Sequence, residues 1–179
     1  MLLNVEQSAP GTLAPGAQPR RRQLAALFGF LAASWAVSLV GSLPIRMNAA
    51  WYAAADTAPW TPPVWMFGSA WLVLYAAMAV AAWMVWRQRI FPRREALKVY
   101  VGLLLLNLAW PLMFFGLYPV MGTAALWLAL LIIAAHSAFA VFAVLRFGPI
   151  STTAGVLMLP YVSWLVFSAS LNLYAALHN

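Results

Sequence analysis

The run Pro59-Trp60-Thr61-Pro62-Pro63 leads directly into Phe67, Trp71 and Tyr75. The chemistry of these residue types is carried by ring faces, which stack on other flat π surfaces in offset or edge geometry. Consecutive prolines do not sit inside a helix, because each lacks the backbone N–H and clashes with the preceding turn. They fit at a helix entrance, where that N–H has no partner anyway. The stretch therefore reads as a tight, tryptophan-bearing loop feeding a hydrophobic helix. Phe67, Trp71, Leu74 and Met78 recur at helical spacing and line one face of it. Rings on a rigid loop and on the adjoining helix face make a flat-sided apolar pocket, and the function is expected there.

The rest of the chain must hold that pocket. Its 179 residues are 65% hydrophobic and 7% charged, whereas soluble domains carry about 25% charged residues. A water-facing surface cannot be assembled from so few charges, and the long apolar runs indicate a polytopic membrane protein. The net charge of +7 does not point to nucleic acid. The basic residues flank apolar runs, where they act as topology signals, and no polar domain exists to hold a duplex. With no cysteine in the chain, disulfides and thiolate metal ligation are excluded.

Residues 1–19 are rich in Ala, Pro, Gly and Gln and read as a disordered N-terminal tail. Arg20, Arg21 and Arg22 then precede an apolar run over 24–43. That run exceeds the roughly 7–15 residues of a signal-peptide core and no Ala-x-Ala-like site ends it, so it reads as an uncleaved first helix. Pro44 is expected to stop it. Residues 44–63 form the ligand loop, too aromatic for disorder. Further helices are expected at about 64–86, 96–117, 121–145 and 152–177, each near or above the roughly 20 residues that cross a hydrocarbon core. The predicted fold is an all-α membrane protein, a five-transmembrane-helix bundle over residues 20–179.

Five spans place the two ends on opposite sides. Arg20, Arg21, Arg22, Arg87, Arg89, Arg93, Arg94, Lys98 and Arg146, nine of the ten basic residues, then share the N-terminal side, and only Arg46 lies opposite. In a bacterial inner membrane this asymmetry puts the N-terminus in the cytoplasm, with the C-terminus and the 44–63 loop in the periplasm.

Trp51-Tyr52, Pro59-Trp60-Thr61-Pro62-Pro63, Phe67, Trp71 and Leu74-Tyr75 resemble the TspO/MBR family of tryptophan-rich sensory and translocator proteins. So do Tyr100, Asn107, Trp110 and Phe114-Phe115-Gly116 in the third helix, and Pro160-Tyr161, Trp164 and Leu171-Asn172 in the fifth. The resemblance covers roughly residues 51–172, and three separated motifs agree in order and spacing. It departs at Ala58, where the family often has Lys, at Gly68, where it often has Pro, and at Leu103, where many members have Gln. After Leu171 and Tyr174 no Lys or Arg follows to complete a cholesterol-type motif.

The resemblance implies a five-helix membrane bundle, often dimeric, that binds porphyrins and other hydrophobic ligands. A receptor or sensor of this kind would regulate tetrapyrrole-linked or stress responses. The alternatives are a light- or oxygen-dependent porphyrin-degrading enzyme and a transporter of tetrapyrrole or sterol-like ligands. No cofactor is required; protoporphyrin IX or haem is the expected ligand. The expected partners are that hydrophobic small molecule, membrane lipids and a second copy in a homodimer.

Family resemblance puts Trp71 and Trp164 in the ligand cavity and, if porphyrin breakdown is real, gives them the catalytic role. A tetrapyrrole is a flat π surface on which indole stacks. By pattern alone both would be packing or interfacial residues. Trp51, Tyr52 and Trp60 are either a lid over the cavity or an aromatic belt. Pro62, Phe67, Tyr75, Phe114, Tyr161 and Leu171 complete the expected ligand wall. Asn107 and Trp110 share a helix face and are counted among the expected ligand-binding residues. Asn107 and Asn172 are expected to bond between helices, while Ser168 is a candidate ligand contact. Arg46 would suit a porphyrin propionate, but reads better as a solvated loop ion. His136, in mid-span, is expected to bond a neighbouring helix rather than haem iron. No metal site, paired carboxylates, phosphate loop or Ser-His-Asp triad is present in the sequence.

Overall fold

The computed structural model describes residues 19–88 and 93–179. The expected tail at 1–19, except Pro19, and Arg89 therefore lie outside the described residues.

Helix α1 (Arg20–Met47) starts after Pro19 and carries Pro44 within its last turn. The expected stop at Pro44 is displaced to Asn48. Proline has a helix-compatible φ and forfeits only the bond to the carbonyl one turn back. Asn48 closes the end, its backbone N–H and its Nδ2 both donating to the Pro44 carbonyl at 3.1 and 3.2 Å. The 44–63 segment is also not all loop. Ala49–Ala54 forms a short helix, α2, as four strongly helix-forming alanines around Trp51 and Tyr52 would favour. Only residues 55–63 remain as an irregular strap.

Helix α3 (Val64–Arg87) begins behind Pro63. Its buried face holds Leu74, Tyr75, Met78 and Val85. Helix α4 (Arg93–Pro111) passes at Pro111 into a π-helical turn, Leu112–Gly116. There the Leu117 N–H reaches back five residues to the Leu112 carbonyl at 3.0 Å. The expected turn at Tyr118-Pro119 is a one-turn helix, α5 (Tyr118–Met121). It ends at Gly122, which needs glycine for its φ of +57°. Helix α6 (Thr123–Phe147) follows. The expected fifth helix is in two pieces, α7 (Thr152–Leu157) and α8 (Leu159–His178), broken at Met158. Pro160 has no N–H to carry the α ladder across that point.

Among the described residues five segments are long and apolar enough to cross a membrane: α1, α3, α4 with its π turn, α6, and α7 with α8. Helix α1 packs along α3 and α4, α4 along α6, and α6 along α8. Helix α3 meets α7 closely but α8 only sparsely, so the end of the bundle toward the strap is open between α3 and α8. Helix α1 docks through small residues. A Cβ on Gly41 would lie 3.4 Å from Pro111 Cγ, and one on Gly116 would lie 3.5 Å from Pro44 Cβ.

Candidate functional site

A buried polar ladder ties the spans together at mid-bundle. Asn107 Nδ2 donates to Tyr161 Oη at 2.7 Å and to the Leu103 carbonyl at 2.9 Å. Tyr161 Oη lies 2.7 Å from His136 Nε2. Lower down, Trp110 Nε1 donates to Asn172 Oδ1 at 3.0 Å, and Asn172 Nδ2 to the Leu126 carbonyl at 2.9 Å. Asn107, His136 and Asn172 thus bond between helices or along their own, which is the usual fate of polar groups in a span. Trp110 has spent its donor and offers only its ring. The Tyr161–His136 pairing was not legible from sequence, since nothing in the pattern of α6 and α8 sets their relative height.

One aromatic wall gathers α2 and the π turn. Trp51 stacks on Tyr118 with centroids 3.9 Å apart, and its ring also meets Phe114 at 5.6 Å and Phe115 at 6.1 Å. Tyr52 meets Phe115 edge-on at 5.2 Å, and Trp110 stacks on Phe114 at 5.2 Å. Burial pushes the Tyr52 phenol above its ordinary pKa. Phe115 and Tyr118 are wall residues that the sequence reading missed. On an ideal α-helix neighbours point about 100° apart, so only one of Phe114 and Phe115 is expected inside; the π turn buries both.

A second aromatic group lies on α3 and α8. Phe67 meets Trp164 at 5.3 Å, and Trp164 meets Phe167 at 5.5 Å. Trp71 lies 5.8 Å from Tyr75 and 6.3 Å, edge-on, from Tyr161. Between α3 and α8 is a cleft of about 370 Å³, lined by Met66, Ser69, Ala70, Val73, Leu74, Pro160 and Trp164. Of the expected ligand residues only Trp164 lines this cleft. Phe67, Trp71, Pro62 and Leu171 are half-buried nearby in sequence, and Ser168 is fully buried.

Among the described residues three buried side-chain polar atoms have no hydrogen-bond partner: Trp51 Nε1, Trp164 Nε1 and Ser168 Oγ. Leaving a buried donor unpaired costs roughly 1–3 kcal/mol, and a bilayer core supplies no water to relieve it. Trp164 and Ser168 are one helical turn apart and share a face. These atoms are unmet demands placed on two tryptophans and a serine already singled out for ligand contact.

The strap covers the same end. Asp56 N–H donates to Asn179 Oδ1 at 2.9 Å and Asn179 Nδ2 returns a bond to the Asp56 carbonyl at 3.1 Å. Trp60 Nε1 donates to Ser170 Oγ at 3.3 Å, and its half-exposed ring meets Tyr174 edge-on at 5.6 Å. Arg46 is exposed at the end of α1. Among the described residues no three His, Cys, Asp or Glu side chains come together as a metal site.

Comparison with known proteins adds a family to this geometry. A model of the TspO/MBR family matches residues 26–177. The chain is 34% identical to a translocator protein from Bos taurus, over 68% of this chain and 70% of the relative. It is 32% identical to a tryptophan-rich sensory protein from Cereibacter sphaeroides, over 82% and 86%. A tryptophan-rich protein TspO from Archaeoglobus fulgidus is 29% identical over 72% and 80%. Five membrane-length apolar helices, two tryptophan-bearing walls and a match along nearly all of the helical region agree: this chain is an integral membrane protein and belongs to the TspO/MBR family.

Proposed function

We propose that the protein is a membrane receptor that takes a flat, apolar ligand, most suitably a porphyrin, between its two aromatic walls. The observation that carries this reading is the set of unpartnered buried atoms at those walls: the indole N–H groups of Trp51 and Trp164 and the Ser168 hydroxyl. A porphyrin supplies what they lack. Its ring plane stacks on indole and phenyl faces, and its peripheral carboxyl oxygens accept hydrogen bonds. The strap through Trp60 acts as the lid. We place the protein in a bacterial inner membrane as a homodimer, with the strap on the periplasmic side. The names of its relatives, sensory protein and translocator, fit a receptor that reports on or moves such a ligand.

The test is a protoporphyrin IX titration of the detergent-solubilised protein, following tryptophan fluorescence in the dark and then under light. Saturable quenching with an unchanged porphyrin spectrum is the expected result. Protein-dependent loss of the porphyrin band under light would convert the receptor into an enzyme. No saturable quenching would remove porphyrin as the ligand.

A further inference from the structure

We propose that Tyr161 and His136 form a proton-coupled redox pair that supplies an electron to Trp71. Three features of the buried core carry the inference. The Tyr161 side chain is fully enclosed, and its Oη is 2.7 Å from His136 Nε2. Asn107 Nδ2 donates to the same oxygen at 2.7 Å. In the tautomer of His136 that carries its proton on Nδ1, the phenolic O–H donates to Nε2. The Tyr161 ring also lies edge-on to Trp71 with centroids 6.3 Å apart, close enough for direct electron exchange.

A phenol in a water-free core loses an electron readily only if its proton leaves in the same event. Otherwise the product is a phenol radical cation, a far stronger acid than an imidazolium and so a much costlier place for the positive charge. His136 is the base in position to take that proton. An interhelical tie alone needs only a single bond between α6 and α8. Here a third residue, Asn107, also donates to the phenolic oxygen, and an indole stands beside the ring.

The step balances as follows. Trp71 gives one electron to a photoexcited flat aromatic oxidant in the cavity, which becomes its radical anion. The Trp71 radical cation takes one electron from Tyr161 while the phenolic proton moves to His136 Nε2. The products are neutral Trp71, a neutral Tyr161 phenoxyl radical and a His136 imidazolium. The direction is favourable because an indole radical cation is a stronger oxidant than a phenoxyl radical that takes up a proton as it is reduced. The consequence is a separated charge that outlives the excited ligand. The inference rests on the proposed ligand reading only for the natural identity of the oxidant.

The experiment illuminates the detergent-solubilised protein with protoporphyrin IX and, separately, with 9,10-dicyanoanthracene, an apolar photo-oxidant unrelated to porphyrin. The radicals are trapped by freezing and read by electron paramagnetic resonance. The expected result is a tyrosyl signal that Tyr161→Phe removes and that His136→Gln, which keeps a polar side chain but no base, lowers at least tenfold. Labelling with ¹⁵N-histidine should replace a ¹⁴N coupling on that signal by a ¹⁵N coupling in the unmutated protein, so the test survives a variant that does not assemble. A tyrosyl signal unchanged in Tyr161→Phe, or one with no histidine coupling, overturns the pair. So does the absence of a tyrosyl signal with both oxidants. If porphyrin fails to bind while dicyanoanthracene gives the Tyr161 radical, the ligand reading fails and the redox pair stands. If porphyrin binds and neither oxidant gives the radical, the reverse holds.

Discussion

Asp56 and Asn179, 123 residues apart, exchange two hydrogen bonds, backbone N–H to Oδ1 and Nδ2 to backbone carbonyl. The pair joins the strap to the last turn of α8. Both bonds to Asn179 use the Asp56 backbone, while the Asp56 carboxylate accepts separately from Tyr174 Oη at 3.5 Å. Asn179→Ala should leave overall stability almost unchanged, because each exposed bond contributes at or below the low end of roughly 0.5–1.5 kcal/mol. It should instead raise amide exchange across 55–63 and speed ligand release. Unchanged exchange there would mean that Trp60, through Ser170 and Tyr174, and the Tyr174–Asp56 bond hold the strap without Asn179.

Trp60→Ala separates lid from anchor. It removes the ring that meets Tyr174 and the donor to Ser170. A porphyrin dissociation constant several-fold weaker is expected from the titration. An unchanged constant would make Trp60 an interfacial anchor only.

Two tryptophans should respond oppositely to the same change. In Trp164→Phe an unpartnered N–H disappears, so the ligand-free protein should be as stable as before or slightly more so while ligand affinity falls. In Trp110→Phe the buried Asn172 Oδ1 loses its donor, and a loss of about 1–3 kcal/mol is expected. Thermal unfolding in detergent, with and without porphyrin, reads both.

Any light-dependent porphyrin breakdown should vanish in the Trp71→Phe, Trp164→Phe double variant while much of the binding survives, because phenyl still stacks but is far harder to oxidise than indole. Breakdown at the original rate would end the redox role of these two residues.

Gly155 tests the turn between α6 and α7. A Cβ there would sit 2.9 Å from Gly148 Cα and 3.2 Å from its nitrogen, and backbone cannot give way as a side-chain tip can. Gly155→Ala should lower stability by about 1–3 kcal/mol. Gly68→Ala, with nothing within 4 Å of the new methyl group, should be neutral or stabilising by up to about 1 kcal/mol in its helix. Equal effects in the two variants would contradict the packing at the turn.

The five spans were legible because apolar length and flanking arginines are strong, local signals. The ends of the elements were not. Pro44, Pro111 and Pro160 look alike in the sequence, yet Pro44 sits inside α1, Pro111 opens a π turn and Pro160 follows a break. What differs is the neighbour that packs on each, such as Gly116 against Pro44. Within the site, Trp71 and Trp164 stood out by type and family motif. The division of tryptophans into spent donors and unpartnered ones did not, because it depends on whether a distant Asn172 or Ser170 reaches the indole.

The π turn at Leu112–Gly116 stores one more residue than an α-helix of the same rise would hold. Chain length there, and not only residue type, encodes the aromatic wall. Removing a single residue between Leu112 and Gly116 would let the ladder revert to α. The residues after the deletion would keep their place relative to α4, because the π turn had absorbed the extra residue, while one of Phe114 and Phe115 would leave the buried side. The same deletion within α6 would propagate through a whole span. The third span therefore has one position at which its length can change by one residue and alter the cavity lining while the rest of the bundle stays in register.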